Sequence, residues 1–411
     1  MYLGGNIMNN IVKSAISTAA GKIFKLKTSQ KIAIGAAAAV TAAATGLVIA
    51  KSVQAKKQDR SVKSLVLEDA TRALPVSVKR EPSFEESMEK SSKPFVLPQA
   101  VRKRIGLREL DDFEDTFVLE PKNKTTDDVI FYFHGSNFWY NPSRYHYAFM
   151  RRLSNKLGAQ LILPVYPKAP AHTAVEIQQM LIDRYLYIVR GKGIPAENVV
   201  FVGDAAGGGL ALAILQKLRY LALPMPKQAF LISPWLDITN SNPEMEEIQP
   251  SDPILNIEKL AFKGEKYAGG LDLTHPAVSP IYGDLVGLPK LTVFAGTREI
   301  FCADVRKLRE IAEDKNLDID VHIYKNQMHF FVGLPIPEGE EAIGIIASEL
   351  YGAEEDDSLM DISDLDESEL ADAIVSEAET EDGESEIPSV EELNAIAEDA
   401  VDEFTEAEIE D

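Results

Sequence analysis

The stretch "VVFVGDAAGGGLALAI", Val199–Ile214, decides how the chain is read. "VVFVG" is rich in β-branched and aromatic residues, the composition of a strand, and "GLALAILQKL" continues as a helix former. Gly203 and Gly207 lie two residues before and two after Ala205. A strand that turns sharply into a helix needs glycine at both places, because side chains there would collide with the turn. This is the spacing of a nucleophile elbow. At its apex, however, Ala205 has only a methyl group, and neither Asp204 nor Ala206 supplies a hydroxyl. Taken alone, a glycine-rich strand-to-helix turn is a weak signal, since phosphate-binding loops look similar.

The surrounding residues narrow the choice. About 70 residues earlier, "FYFHGSNFWY" places His134, Gly135, Ser136 and Asn137 at the end of another strand-like run. Downstream, "FAGTREIF" and "YKNQMHFF" each follow a strand-like run. That puts Glu299 and His329 at the carboxyl edge of a sheet, where sites of α/β proteins form. Asp304, five residues after Glu299, is the alternative acid. The six runs "DVIFYFHG", "QLILPVYP", "NVVFVGD", "QAFLISPW", "LTVFAG" and "IDVHIYKN" are separated by helix-length stretches. Such alternation predicts an α/β fold: a mostly parallel central sheet with helices on both faces.

With these motifs in one order, residues 128–350 resemble the hormone-sensitive-lipase-like branch of the α/β-hydrolases, particularly its bacterial carboxylesterases. "HGSN" stands where that family has His-Gly-Gly-Gly or His-Gly-Gly-Ala, and "GDAAGG" where it has Gly-Asp-Ser-Ala-Gly-Gly. "YPKAPAHT", "SPWLD", "DPIL", "YAGG", "SPIYGDL", "GTREI" and "MHFF" extend the match. The resemblance implies the α/β-hydrolase fold, Glu299 as the acid, His329 as the general base, and oxyanion-hole amides at Gly135, Ser136 and Ala206. Two departures stand out: Ala205 in place of the family's nucleophilic serine, and Ser136-Asn137 in place of small residues. Ser136 is expected to bond locally rather than to act as a substitute nucleophile. Trp139, Tyr140 and Tyr145 are candidates for an acyl pocket or for plain packing. Asp237 and Asp252 carry resemblance without a derivable role.

Outside this domain, composition separates three regions. Residues 1–60 are a basic N-terminus containing 19 uncharged residues, Ile32–Ala50, just long enough to cross a hydrocarbon core of ~30 Å. Nine of them are alanine, so this run reads as a membrane anchor, a signal peptide, or an alanine-rich soluble helix. Residues 61–121 read as a linker or cap, and 122–351 as the hydrolase-like domain. Residues 352–411 carry 26 Asp and Glu and no Lys or Arg. By composition this tail is disordered, and near Ser389 it has the spacing of a nascent acidic helix. The net charge of −23 belongs to the tail; the remainder has 39 acidic against 42 basic residues and gives no reason to expect nucleic acid. Cys302 alone cannot build a disulfide framework. The histidines show no metal-ligand spacing, and neither metal nor cofactor is expected.

Three functions follow as expectations. The first is a catalytically impaired esterase/lipase-like protein that binds a small apolar ester-like ligand. The second is a carboxylic-ester hydrolase with residual activity, in which His329 and Glu299 activate water. The third is an interaction protein whose acidic tail meets a basic partner. Residues 32–50 suggest membrane association or export from a bacterial cytoplasm.

Overall fold

The computed structural model describes residues 51–73, 82–111 and 113–352. One eight-stranded sheet runs through them: β1 (Arg108–Leu110), β2 (Phe113–Leu119), β3 (Val129–Phe133), β4 (Gln160–Pro164), β5 (Val199–Asp204), β6 (Gln228–Ile232), β7 (Leu291–Gly296) and β8 (Ile319–Tyr324). Their order is β1-β2-β4-β3-β5-β6-β7-β8. β4, β3 and β5–β8 pair in parallel, as the sequence rhythm predicts.

Helices cover both faces because alternate residues of each central strand are apolar in both directions. Val129, Phe131 and Phe133 face one core with Val199 and Phe201, whereas Ile130 and Tyr132 face the other with Val200 and Val202. The first core takes side chains from α5 (Ala174–Leu186), α6 (Ala206–Tyr220), α7 (Glu244–Ile248), α8 (Ile257–Ala268) and α9 (Cys302–Lys315). The second is closed by α4 (Arg144–Leu157) and α10 (Pro337–Tyr351). A strand buried on both faces reads as a continuous apolar run, which is why these strands are legible in the sequence.

Residues 61–121 hold more structure than the reading as linker or cap anticipates. They form α1 (Val62–Ala73), α2 (Phe84–Ser91) and α3 (Gln99–Ile105), and then β1 and β2, which extend the sheet in the antiparallel sense. β2, "FEDTFVL", escapes notice because acidic residues interrupt its apolar run. Arg184 on α5 neutralises one of them: its Nη2 lies 2.8 Å from Asp115 Oδ2, and its guanidinium sits 3.8 Å above the Phe113 ring. The apolar run 32–50 and the acidic tail beyond Gly352 lie outside the described residues. Among the described residues, no helix is long and apolar enough to cross a membrane.

Phe117, 1% exposed on β2 and in edge-to-face contact with Phe95, tests whether this extension belongs to the core. Phe117→Ala should lower the unfolding free energy by about 3–5 kcal/mol in urea titration. A loss below ~1 kcal/mol would mean that β2 is peripheral.

Candidate active site

β5 ends at Asp204, and α6 begins at Ala206. Between them Ala205 adopts φ 48° and ψ −118°, a backbone conformation that costs a non-glycine residue about 1–3 kcal/mol. Three bonds hold it there: its N–H donates to the Ile232 carbonyl at 2.9 Å, and its carbonyl accepts from Trp235 and Gly209 at 2.8 and 3.2 Å. The flanking glycines are required by contact. A Cβ on Gly203 would lie 2.4 Å from the Gly207 carbonyl oxygen, and one on Gly207 only 1.9 Å from that of Phe133. The turn therefore has the geometry of an elbow, with a methyl group at its apex.

Glu299 and His329 come together at the carboxyl edge of the sheet. His329 Nδ1 lies 2.5 Å from Glu299 Oε2. The other Glu299 oxygen accepts the Gly296 N–H at 2.7 Å and the Ser233 hydroxyl at 2.8 Å. Ser233 Oγ also accepts the Phe330 N–H at 3.1 Å, which ties the acid to the chain just past the histidine. Burial alone would push the His329 value down, but the Glu299 hydrogen bond and charge, with the charges of Asp252 and Asp204, raise it above the ordinary 6.5. The alternative acid, Asp304, is elsewhere: it lies on α9, accepts from Asn242 Nδ2 at 3.0 Å, and is pushed up by burial to about 7.

The loop after β3 is as strained as the elbow. Ser136, Asn137 and Phe138 all have positive φ. Gly135, expected as an oxyanion donor, directs its N–H at Asp204 Oδ1 instead, at 3.0 Å. Its missing side chain matters too, since a Cβ there would fall 2.2 Å from Asp204 Oδ2. Among the described residues, the N–H groups of Ser136 and Ala206 have no acceptor. Both therefore remain available to a ligand oxygen. The Ser136 hydroxyl donates locally, to the Asn141 carbonyl at 3.3 Å.

Asp204 organises this side of the site, a part that sequence reasoning missed. Besides Gly135 it accepts the Tyr132 hydroxyl at 2.5 Å and meets His146 Nε2 at 3.2 Å. The Ser143 N–H points at His146 Nδ1, so the proton sits on Nε2 and faces the carboxylate. His134 stacks on Tyr166 at 4.2 Å, and the Tyr166 hydroxyl donates to the His134 carbonyl at 2.8 Å. Burial, with His146 and Lys168 nearby, holds His134 well below its ordinary value.

Asp252 and Asp237 now acquire structural roles. Asp252 accepts the N–H groups of Ile254, Leu255 and Ile300, each at 2.9 Å, bracing the loop that carries Glu299. Burial nevertheless lifts it to about 6. Asp237 accepts the Tyr282 hydroxyl at 2.5 Å and the Thr239 N–H at 2.9 Å. Trp139 and Tyr140 line a cavity of about 280 Å³ with Phe84, Phe262 and Lys263, whereas Tyr145 packs against the second core. Among the described residues, no group of three His, Cys, Asp or Glu side chains could hold a metal ion.

Comparison with known proteins agrees with this geometry. Residues 130–333 match a family model described as alpha/beta hydrolase fold. The chain is 31% identical over 222 residues to an esterase of Acinetobacter venetianus, covering 53% of this chain and 73% of that protein. It is 30% identical over 234 residues to an acetyl-hydrolase of Streptomyces hygroscopicus, covering 55% and 76%. Among solved structures it is similar to EstE5 in a crystal soaked with p-nitrophenyl butyrate, at TM-score 0.61 and 25% identity, with 70% of this chain and 97% of that one covered. An esterase of the bacterial hormone-sensitive lipase family matches at TM-score 0.55 and 26% identity, over 64% of this chain and 94% of the other.

The raised His329 value has a consequence for stability. Its contribution is fully present below the unfolded imidazole value of 6.5 and is lost as pH rises through the higher folded value. Glu299→Gln should therefore trail the native chain in urea unfolding by more at about pH 6 than at about pH 9. Equal deficits at both would mean that the two groups are not coupled.

Proposed function

The chain belongs to the α/β-hydrolase fold family of esterases and lipases, and on that premise we propose that it is a catalytically impaired member that keeps its site for binding. One observation carries the reading: Ala205 occupies the strained apex of a complete elbow, while His329 and Glu299 remain 2.5 Å apart. In an acyl-transfer site of this design the apex hydroxyl attacks the carbonyl and the histidine takes its proton. The acid orients the imidazole, and backbone amides hold the oxyanion. Ala205 has no proton to give and no lone pair to attack with. The remaining parts still suit an ester-like ligand, whose carbonyl oxygen would accept from the Ser136 and Ala206 amides and whose alcohol side would meet His329.

A second reading takes its support from the same His329–Glu299 pair. With a base in place and no nucleophile beside it, a bound water can be deprotonated directly and attack the ester. This is residual hydrolysis without an acyl-enzyme. In either case the apolar run 32–50 would hold the domain at a membrane or direct it out of the cytoplasm, and the acidic tail would meet a basic partner.

Hydrolysis of p-nitrophenyl acetate and butyrate by the native chain and by Ala205→Ser tests the proposal. The native chain should stay close to background and the serine variant should exceed it by several orders of magnitude, up to on the order of 10⁶ for a fully competent triad. Native turnover that disappears in His329→Ala would replace the first reading with the second. Silence in both chains would mean that the site no longer accepts an ester carbonyl, and the binding proposal would fall with it.

A further inference from the structure

Two loops carry the acid and the histidine: residues 297–301 after β7 and residues 325–330 after β8. They are stitched to each other. The Thr297 N–H donates to the Tyr324 carbonyl at 2.9 Å, the Arg298 N–H to the Gln327 carbonyl at 3.0 Å, and the Asn326 N–H to Thr297 Oγ1 at 2.8 Å. The approach is so close that a Cβ on Gly296 would lie 2.1 Å from the Gln327 carbonyl oxygen.

The N-terminal arm, residues 51–73, grips both loops from outside. Arg60 Nη1 donates to the Asn326 carbonyl at 2.8 Å, Asn326 Nδ2 donates to the Gln58 carbonyl at 2.6 Å, and Ser64 Oγ donates to Gln327 Oε1 at 2.7 Å. At the centre of these contacts is Glu68 on α1, 1% exposed. Its carboxylate takes Arg60 at 2.5 Å, Arg72 at 2.9 Å, and Arg298, the residue before Glu299. Arg72 also donates to the Ser251 carbonyl, beside Asp252, whose carboxylate accepts the Ile300 N–H. Burial alone would push the Glu68 carboxyl up. The Arg60 bond and charge, with Arg72 and Arg298, outweigh burial and hold it below its usual value.

We propose that Glu68 is a positioning residue for the Glu299–His329 pair: through Arg298 and Arg60 it holds the two loops in the register at which His329 Nδ1 meets Glu299. A surface ion pair would have little leverage, but this carboxylate is buried among three guanidinium groups, and removing it leaves their charge uncompensated. Arg298 also bonds Asn326 Oδ1 at 3.3 Å, so a shift in its guanidinium reaches both loops at once. Glu68 precedes Arg298 by 230 positions, so the geometry of this edge depends on a segment remote in sequence from the strands that carry the pair.

The charged groups facing His329 are Glu299, Asp252 and Asp204, and burial opposes all three. Loosening the Glu299 contact lets burial prevail. In Glu68→Gln, made in the full chain, the His329 imidazole followed by NMR should titrate about one pH unit lower than in the native chain. Ser64→Ala, which removes only the contact to Gln327, should move it less and in the same direction. A general loss of stability would lower the melting temperature without moving this midpoint. Native midpoints in both variants overturn the proposal. If Glu68→Gln does not fold, Ser64→Ala decides alone. Because the readout is a titration and not turnover, it is independent of whether the site hydrolyses esters.

Discussion

The first turn of α6 packs against the end of β3 with no room for a side chain at Gly207, where an added methyl would sit 1.9 Å from the Phe133 carbonyl oxygen. Most of the site depends on that approach. It forces the chain through a sharp turn after Asp204, holds Ala205 at positive φ, and leaves the Ala206 amide at the start of a helix. It also brings Asp204 beneath the loop after β3, so that one carboxylate fixes Tyr132, Gly135 and His146. An alanine held in so strained a conformation is a cost that only surrounding packing can offset, here the bonds from Ala205 to Ile232, Trp235 and Gly209.

Around this turn the site is built on buried carboxylates saturated with donors, Asp204, Glu299 and Glu68 beside the Asp252 that braces the Glu299 loop. Asp204 supports the loop after β3, Glu299 supports His329, and Glu68 supports the loops behind both members of the pair. In a water-poor interior an unpaired carboxylate would be strongly destabilising, so each has recruited hydroxyls, backbone amides or guanidinium groups. The arrangement keeps the Glu299–His329 pair in place near a turn whose apex carries only a methyl group.

How much of this was legible follows from which signals are local. β3 to β8 were legible because each is a short apolar run bounded by breakers. The elbow was legible because steric clearance demands glycine at fixed offsets. β1 and β2 were not, because β1 has three residues and β2 carries Glu114 and Asp115, the latter neutralised only by Arg184 from another element. His146 looked like any helix residue and Tyr132 like any strand residue. Their shared partner, Asp204, lies 72 residues after Tyr132 in the chain. Ser233 was equally silent, and Asp252 stood out by resemblance without a role, although both touch the loops that carry Glu299 and His329.

Residue order and spacing were sufficient for the α/β fold and the alanine at the apex, because these follow from periodicity and turn sterics along one chain, while the family resemblance pointed to Glu299 and His329 with Asp304 as the alternative acid. Which acid the histidine meets, where the Gly135 amide points, and what braces the two loops were decided only in three dimensions. Each depends on groups far apart in sequence whose distances are set by how strands and helices pack. Glu68 and Arg298 are separated by 230 positions, and only folding makes them neighbours.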